Sequence, residues 1–263
     1  MLSLPQRTNL SSLLHGDLQG DTTREWDQWP ACSRDFLRQR YDRVAAFIPF
    51  FDRVLFQPSG LRKHAVHLLR LQQGDRVLEV GCGTGRNFPL LQEVLGPDGR
   101  IYGIDLSAGM LHEARRLCRR QQWRNVILIE GDAAEYVTPE LIDGVLFGFS
   151  YNTMPHHLTV LRRAQNQLRP GGRLVIMDAK VPAGFLGKLV LPFAVWLMKR
   201  TLLGNPFIRP WEHLARLVED FQMEEFRFGS YYVCCGTKSE IGCDHRILSS
   251  TNMPHICHER RCS

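Results

Sequence analysis

What the chain lacks narrows it first. Its most apolar run, LVLPFAVWLM (189–198), is broken by Pro192 and falls well short of the about 20 residues that a bilayer-spanning helix needs. The opening residues MLSLPQRTNLSSLLHGDLQGD carry no long apolar core behind a basic flank, so no secretory signal is read there and a cytoplasmic location is the expectation. The glycine-rich turn GCGTGRN (81–87) has no Lys-Ser/Thr pair in the Walker spacing, which argues against a nucleoside triphosphate. The eight cysteines (Cys32, Cys82, Cys118, Cys234, Cys235, Cys243, Cys257 and Cys262) are scattered through a chain far larger than a disulfide-stapled mini-domain, and they read as reduced thiols. An excess charge is also missing: a formal net charge of +6 permits an anionic partner or a membrane surface without requiring one. Arg115, Arg116, Arg119 and Arg120 read as a solvated helix face, and nucleic acid is not expected as a partner.

What is present is one sizeable core. At 263 residues and 44% hydrophobic content, one domain with some decoration is the natural reading. Between Gly74 and Ala179, the runs VLEV (77–80), IYGI (101–104), VILI (126–129), GVLFGF (144–149) and RLVIM (173–177) read as strands buried on both faces. Between them, MLHEARRLC (110–118) and VLRRAQNQL (160–168) place apolar residues at helical spacing, with Pro-Gly-Gly at 170–172 expected to close the second helix. Strands separated by crossover helices predict an α/β fold with a doubly wound parallel sheet. EEFRFG (224–229) and YYVCCGTK (231–238) read as two further strands joined by a tight Gly-Ser turn.

In such a sheet ligands bind beyond the carboxyl ends of the strands, and the turn at 81–85 sits at the end of the first one. Gly81, Gly83 and Gly85 do not match the dinucleotide spacing, since Arg86 stands where the third glycine would fall. Three acids surround the turn. Glu79 lies in an otherwise apolar strand end, where a carboxylate is costly without a partner. Asp105 ends the second strand, placed to accept both hydroxyls of a ribose, and Asp132 follows the third, where an acid can bind an exocyclic amine of adenine.

The motifs E-V-G-C-G-T-G, G-I-D-L-S, G-D-A and R-P-G-G-R-L together resemble the class I S-adenosylmethionine-dependent methyltransferases, from about Tyr41 to Gly236. That resemblance implies a Rossmann-like, seven-stranded, mostly parallel sheet ending in an antiparallel hairpin, with S-adenosylmethionine as cofactor. It also implies that Gly81, Cys82 and Gly83 lie against the methionine end and sugar, Asp105 and Leu106 against the ribose, and Met110, Asp132 and Ala133 around adenine; Tyr41, Glu79 and Ser150 complete the expected set. YDRVAAFIPFFDRVLF (41–56) and FSYNTMP (149–155) look most like the branch containing ubiquinone/menaquinone C-methyltransferases and bacterial phospholipid N-methyltransferases.

A sulfonium methyl needs mainly an oriented nucleophile and exclusion of water. A base is required only where the nucleophile must lose a proton, and His156, His157 and Asp178 are the candidates near the ends of strands four and five. The chain has F-S-Y-N where methyltransferases of nucleobase or glutamine nitrogens often carry N/D-P-P-Y, which argues against those acceptors. The expected reaction is methylation of nitrogen or oxygen on a small hydrophobic or lipid-like acceptor. Carbon methylation of a quinone-type ring is the alternative, and a non-catalytic cofactor-binding protein is a third reading. The expected organisation is an N-terminal extension (1–40), a methyltransferase domain (41–238) with a lid insertion (180–211), and a disordered tail (239–263). The lid could instead lie on a membrane surface as an interfacial helix, with Lys188, Lys199 and Arg200 toward head groups. The tail holds Cys243, His245, His255, Cys257, His258 and Cys262 in spacings that match no familiar zinc module, and no metal is expected. The oligomeric state stays open.

Overall fold

The computed structural model describes residues 34–45, 60–154, 156–181 and 208–240. Residues 46–59, most of the expected lid and nearly all of the Cys/His tail lie outside them. Helix α1 (Arg34–Val44) begins inside the segment expected as an extension and packs on the domain: Arg38 donates to Glu130 at 2.6 Å. Helix α2 (Leu61–Leu68) follows, then β1 (Arg76–Val80), α3 (Phe88–Leu95), β2 (Arg100–Asp105), α4 (Ala108–Arg120), β3 (Val126–Glu130), β4 (Ile142–Gly148), a 3-10 turn (Tyr151–Thr153), α5 (His157–Gln167), β5 (Leu168–Ala179), α6 (Pro210–Ala215), β6 (Glu219–Phe226) and β7 (Tyr231–Thr237).

The strands form one seven-stranded sheet in the order β3-β2-β1-β4-β5-β7-β6. The first five are parallel, while β7 runs antiparallel to both β5 and β6. Chain order reverses between β1 and β4, so the crevice of the fold opens beside the exits of these strands. Apolar runs make the central strands because both faces are covered. Leu78, Tyr102, Val145, Phe147, Leu174 and Ile176 pack on one side with α5 and α6, and Val77, Ile101, Leu146, Val175 and Met177 on the other with α2, α3 and α4. Helix α4 starts where the Ser107 hydroxyl accepts from the Met110 N–H at 3.1 Å.

Two expectations move. The Pro-Gly-Gly run does not itself close the helix: α5 stops earlier, at Gln167, and Leu168 already pairs with Ile142, so residues 170–172 belong to an irregular start of β5 with a register shift between Ile142 and Gly144. Gly171 there has φ +74° and its N–H donates to the Lys238 carbonyl, which ties the bulge to the chain just after β7. Strand β6 begins at Glu219, ahead of the expected 224, and ends at Phe226. The turn then takes Arg227, Phe228 and Gly229 through positive φ before Ser230, so Gly229-Ser230 is only its second half. As an edge strand β6 buries little beyond Met223, so its acidic sequence EDFQMEEF shows no apolar alternation.

Candidate active site

The turn after β1 is built by close approach. The Gly81 and Cys82 N–H groups both donate to the Ile104 carbonyl, and a Cβ at Gly81 would fall 2.5 Å from that of Ser150. Ser150 fastens the same junction, its hydroxyl donating to the Val80 carbonyl at 2.5 Å. Gly83, at φ +54°, faces the other way: nothing lies within 4 Å of where its Cβ would point, so the backbone there is open to a ligand. Cys82 is buried, and burial pushes its thiol well above the usual range, which suits packing and not nucleophilic attack.

Asp105 stands opposite. Its two oxygens accept from the Gly83 N–H at 2.8 Å and the Ser107 N–H at 2.9 Å. Burial raises its pKa to about 6 against the pull of those N–H groups, so it is ionised at neutral pH. A carboxylate offers about four acceptor sites, which leaves room for a pair of vicinal hydroxyls. Asp42 on α1 accepts from the Ser107 hydroxyl at 2.5 Å and the Gly109 N–H at 2.8 Å, pinning α1 across the start of α4. Leu106 is half-buried and Met110 buried along this wall. Asp132 caps the turn beyond β3, accepting from the Ala134 N–H at 2.8 Å, with Ala133 half-buried beside it.

Glu79 is 1% exposed. Asn87 donates to its Oε1 at 2.6 Å, while Oε2 has no hydrogen-bond partner among the described residues. Burial raises its pKa to about 8, although Asn87 and Arg62 favour the charge. Arg62 in turn donates to Asn87 Oδ1 at 2.9 Å. A buried carboxylate with one unmatched oxygen is a ready counter-charge for a cation.

Across the crevice Asp178, 6% exposed at the end of β5, accepts from the Ala179 N–H at 2.8 Å and the Asn152 N–H at 3.3 Å. Burial lifts its pKa to about 7. Tyr232 is its register partner on β7, and Trp211 packs edge-on against Tyr232 at 5.2 Å between centroids. The Tyr41 side chain reaches in from α1 to Thr153; burial, then the charges of Asp105 and Asp178, hold its phenol protonated well above the usual range. Tyr41 therefore spans the acids of β2 and β5.

The histidines part company. His156 is exposed at the N-cap of α5, and the structure does not bring it to Asp178. His157 is buried, stacked on His213 of α6 at 5.3 Å and edge-on to Tyr151 at 5.2 Å, while Tyr151 Oη and His213 Nδ1 lie 3.1 Å apart. Burial lowers both histidines to about 4, so they are neutral rings joining α5 to α6. Sequence reasoning missed Asp42, Arg62, Asn87, Asn152 and Tyr232. Asp42 and Asn87 adjoin singled-out residues, but none carries a spacing signal, because each reaches the site through tertiary contact.

Among the described residues no helix is long and apolar enough to cross a membrane, and no cluster of metal-binding side chains occurs. An open groove of about 770 Å³ beside α4 and β3, lined by Arg115, Arg119, Trp123 and Arg124 among others, lies toward the opposite end of the strands.

A family model of the methyltransferase domain matches residues 71–208. Demethylmenaquinone methyltransferase of Listeria monocytogenes is 31% identical over 212 residues, covering 73% of this chain and 84% of that one. Among solved structures, an S-adenosylmethionine-dependent methyltransferase of Aquifex aeolicus superposes with a TM-score of 0.50 at 21% identity, covering 72% of this chain and 98% of that one. Phosphoethanolamine N-methyltransferase 2 of Haemonchus contortus, solved with phosphomonomethylethanolamine and S-adenosylhomocysteine, gives 0.55 at 17% identity, covering 67% and 52%.

Proposed function

The chain belongs to the methyltransferase-domain family, as an S-adenosylmethionine-dependent enzyme resembling the menaquinone methyltransferases, and we propose that it methylates a ring carbon of a quinol-type acceptor. The observation that carries this reading is Asp178: a buried carboxylate at a strand exit, held by two backbone N–H groups and with a pKa near 7, is poised to take a proton at neutral pH. The demethylmenaquinone methyltransferase relatives favour a carbon acceptor over the nitrogen or oxygen acceptor first expected.

The residues fit the cofactor. Gly83 leaves its backbone open, Asp105 has spare lone pairs for a ribose, and the unmatched oxygen of Glu79 suits a cation. When bound there, S-adenosylmethionine supplies a sulfonium methyl that leaves to a carbon nucleophile as a thioether forms. The protein's part is to make that nucleophile. Asp178 takes the proton of a ring hydroxyl, and the neighbouring ring carbon gains the electron density to form the new C–C bond. The proton on the methylated ring carbon passes to solvent, which restores aromaticity as a phenolate, and Asp178 returns the hydroxyl proton to oxygen. Tyr41 and Trp211, both only partly buried, supply flat apolar surface for a ring and limit water, while Tyr232 packs in the core against Trp211. Asn152 fixes Asp178 through its backbone and holds the Ala179 carbonyl at 3.2 Å.

The same rings around a carboxylate also favour a second reading, a neutral amine acceptor seated against aromatic faces. The two differ in the need for a base. Asp178→Asn should lower turnover of a quinol by about 10²–10⁴-fold with cofactor affinity nearly unchanged. An amine attacks with its own lone pair and should lose much less. Release of S-adenosylhomocysteine measured against quinols, phenols, amines and phospholipids tests both: turnover restricted to amines, or unaltered quinol turnover in the variant, would remove Asp178 as the base.

A further inference from the structure

We propose that Arg62 is a positioning residue for the cofactor site, acting through Asn87 on Glu79 and through Phe149 on the exit of β4. It rests on the cofactor reading above. The sequence offers no hint of this role, since Arg62 stands in LRKHAVHL, the helix before the first strand, outside every glycine or acid motif.

Two contacts carry the inference, one at the turn after β1 and one at the exit of its neighbour β4. At the turn, the Arg62 guanidinium donates to Asn87 Oδ1 at 2.9 Å, and the Asn87 amide donates to Glu79 Oε1 at 2.6 Å. An amide held at its oxygen by a cation has its N–H₂ end oriented toward the carboxylate, so the relay fixes the Glu79 rotamer and favours its charged form. At the β4 exit, the Arg62 guanidinium lies 5.0 Å above the Phe149 ring. Phe149 has φ +61°, the left-handed region that a bulky residue adopts only at a cost. Its ring also meets Tyr231 edge-on at 6.2 Å and its N–H donates to the Met177 carbonyl at 2.9 Å. The strained residue leads directly into Ser150, which fastens the β4 exit to the end of β1. One side chain thus sets both neighbouring segments on which the cofactor's charged end would rest.

The charged and titratable groups facing Glu79 are Arg62 from α2, Asp105 from β2 and the Cys82 thiol from the glycine turn. Arg62 is the one cation among them. Its removal leaves Glu79 between burial and another carboxylate, both of which favour the protonated form.

The test follows the ionisation of Glu79 with and without cofactor. Calorimetry of S-adenosylmethionine binding to wild type, Arg62→Met and Arg62→Lys between pH 6 and 9.5 should give Arg62→Met about a tenfold loss of affinity at pH 7, equivalent to about one pKa unit on Glu79. The loss should narrow toward pH 9.5, and Arg62→Lys should keep the wild-type midpoint because a cation remains. The second measurement uses no cofactor: the Tm difference between Glu79 and Glu79→Gln proteins, followed against pH, should extend to higher pH in the Arg62→Met background. Arg62→Gln, which removes the charge and keeps a donor for Asn87, replaces Arg62→Met if that variant does not fold. A pH-independent loss of affinity, or an unmoved midpoint in both measurements, would overturn the proposal and leave Arg62 as packing. If wild type does not bind S-adenosylmethionine, the cofactor reading fails on its own, while the cofactor-free curves still report whether Arg62 governs Glu79.

Discussion

At the residue scale the site depends on three carboxylates that burial has moved in one direction by different amounts. Asp105 rises only to about 6 because the backbone N–H groups of Ser107, Gly83 and Leu106 oppose desolvation, so it is ionised at neutral pH. Asp178 and Glu79 stand at about 7 and about 8, where one proton more or less is chemically available. Asp105→Ala should remove a charge-assisted contact to a ribose, costing roughly 1.5–3 kcal/mol of cofactor binding. The same change frees the Gly83 and Ser107 N–H groups, so a circular-dichroism comparison should accompany the calorimetry. An unaltered S-adenosylmethionine affinity in a folded Asp105→Ala protein would sink its assignment. Positions 79, 105 and 178 could be singled out in the sequence because each is a lone acid near the end of an apolar strand. The difference between His156 and His157 was not legible. Adjacent on the chain, they are turned to solvent and to core by the start of α5.

At the scale of elements, legibility followed burial. Strands β1, β2, β4 and β5, buried on both faces, announce themselves as apolar runs; β3 is the exception, since its run VILI was expected to be buried on both faces, yet as an edge strand it has no fully buried residue and Ile127 is 41% exposed. The edge strand β6 announces nothing, since EDFQMEEF pairs with β7 through its backbone while most of its side chains meet water. The joint between α5 and α6 was equally silent, because it is made by His157, His213 and Tyr151, from distant parts of the chain. That joint has a pH signature. Both rings titrate near 4 in the fold, below an ordinary histidine at about 6.5, so the unfolded chain takes up their protons first. Their contribution is complete above about pH 6.5 and is lost as pH falls toward 4. His157→Phe keeps a ring in the stack and removes one of the two protonation sites. Thermal unfolding from pH 7 to 4 should show a shallower acid-side fall in Tm for that variant, with little change at pH 7; parallel curves would show that the stack is not what titrates.

For the whole molecule the two buried acids work in the opposite sense to the histidines. Glu79 and Asp178 have folded pKa values near 8 and 7, well above the about 4 of unfolded carboxyls. The unfolded chain therefore gives up these protons first, and stability falls as pH rises from about 4 through 8. The fold holds two acids, kept reluctant to ionise by burial, around a crevice read as the seat of a cationic cofactor. S-adenosylmethionine carries one net positive charge that its product S-adenosylhomocysteine lacks, so it should favour the ionised acids and restore part of that stability. Saturation at 100 times Kd stabilises a fold by about 2.7 kcal/mol, which at about 2–4 °C per kcal/mol in a chain of this size should raise Tm by roughly 5–11 °C. The charge argument adds a slope to that shift. With each ligand held at the same multiple of the Kd it shows at pH 6, the gain from S-adenosylmethionine should grow between pH 6 and 9, and the gain from S-adenosylhomocysteine should grow less. In Glu79→Gln the excess slope should shrink toward that of the uncharged product, because the carboxylate that answers the sulfonium and ammonium has been replaced. Equal slopes for the two ligands in wild type would mean that the buried acids do not sense the cofactor's charge, and the crevice between Glu79 and Asp178 would then need another occupant.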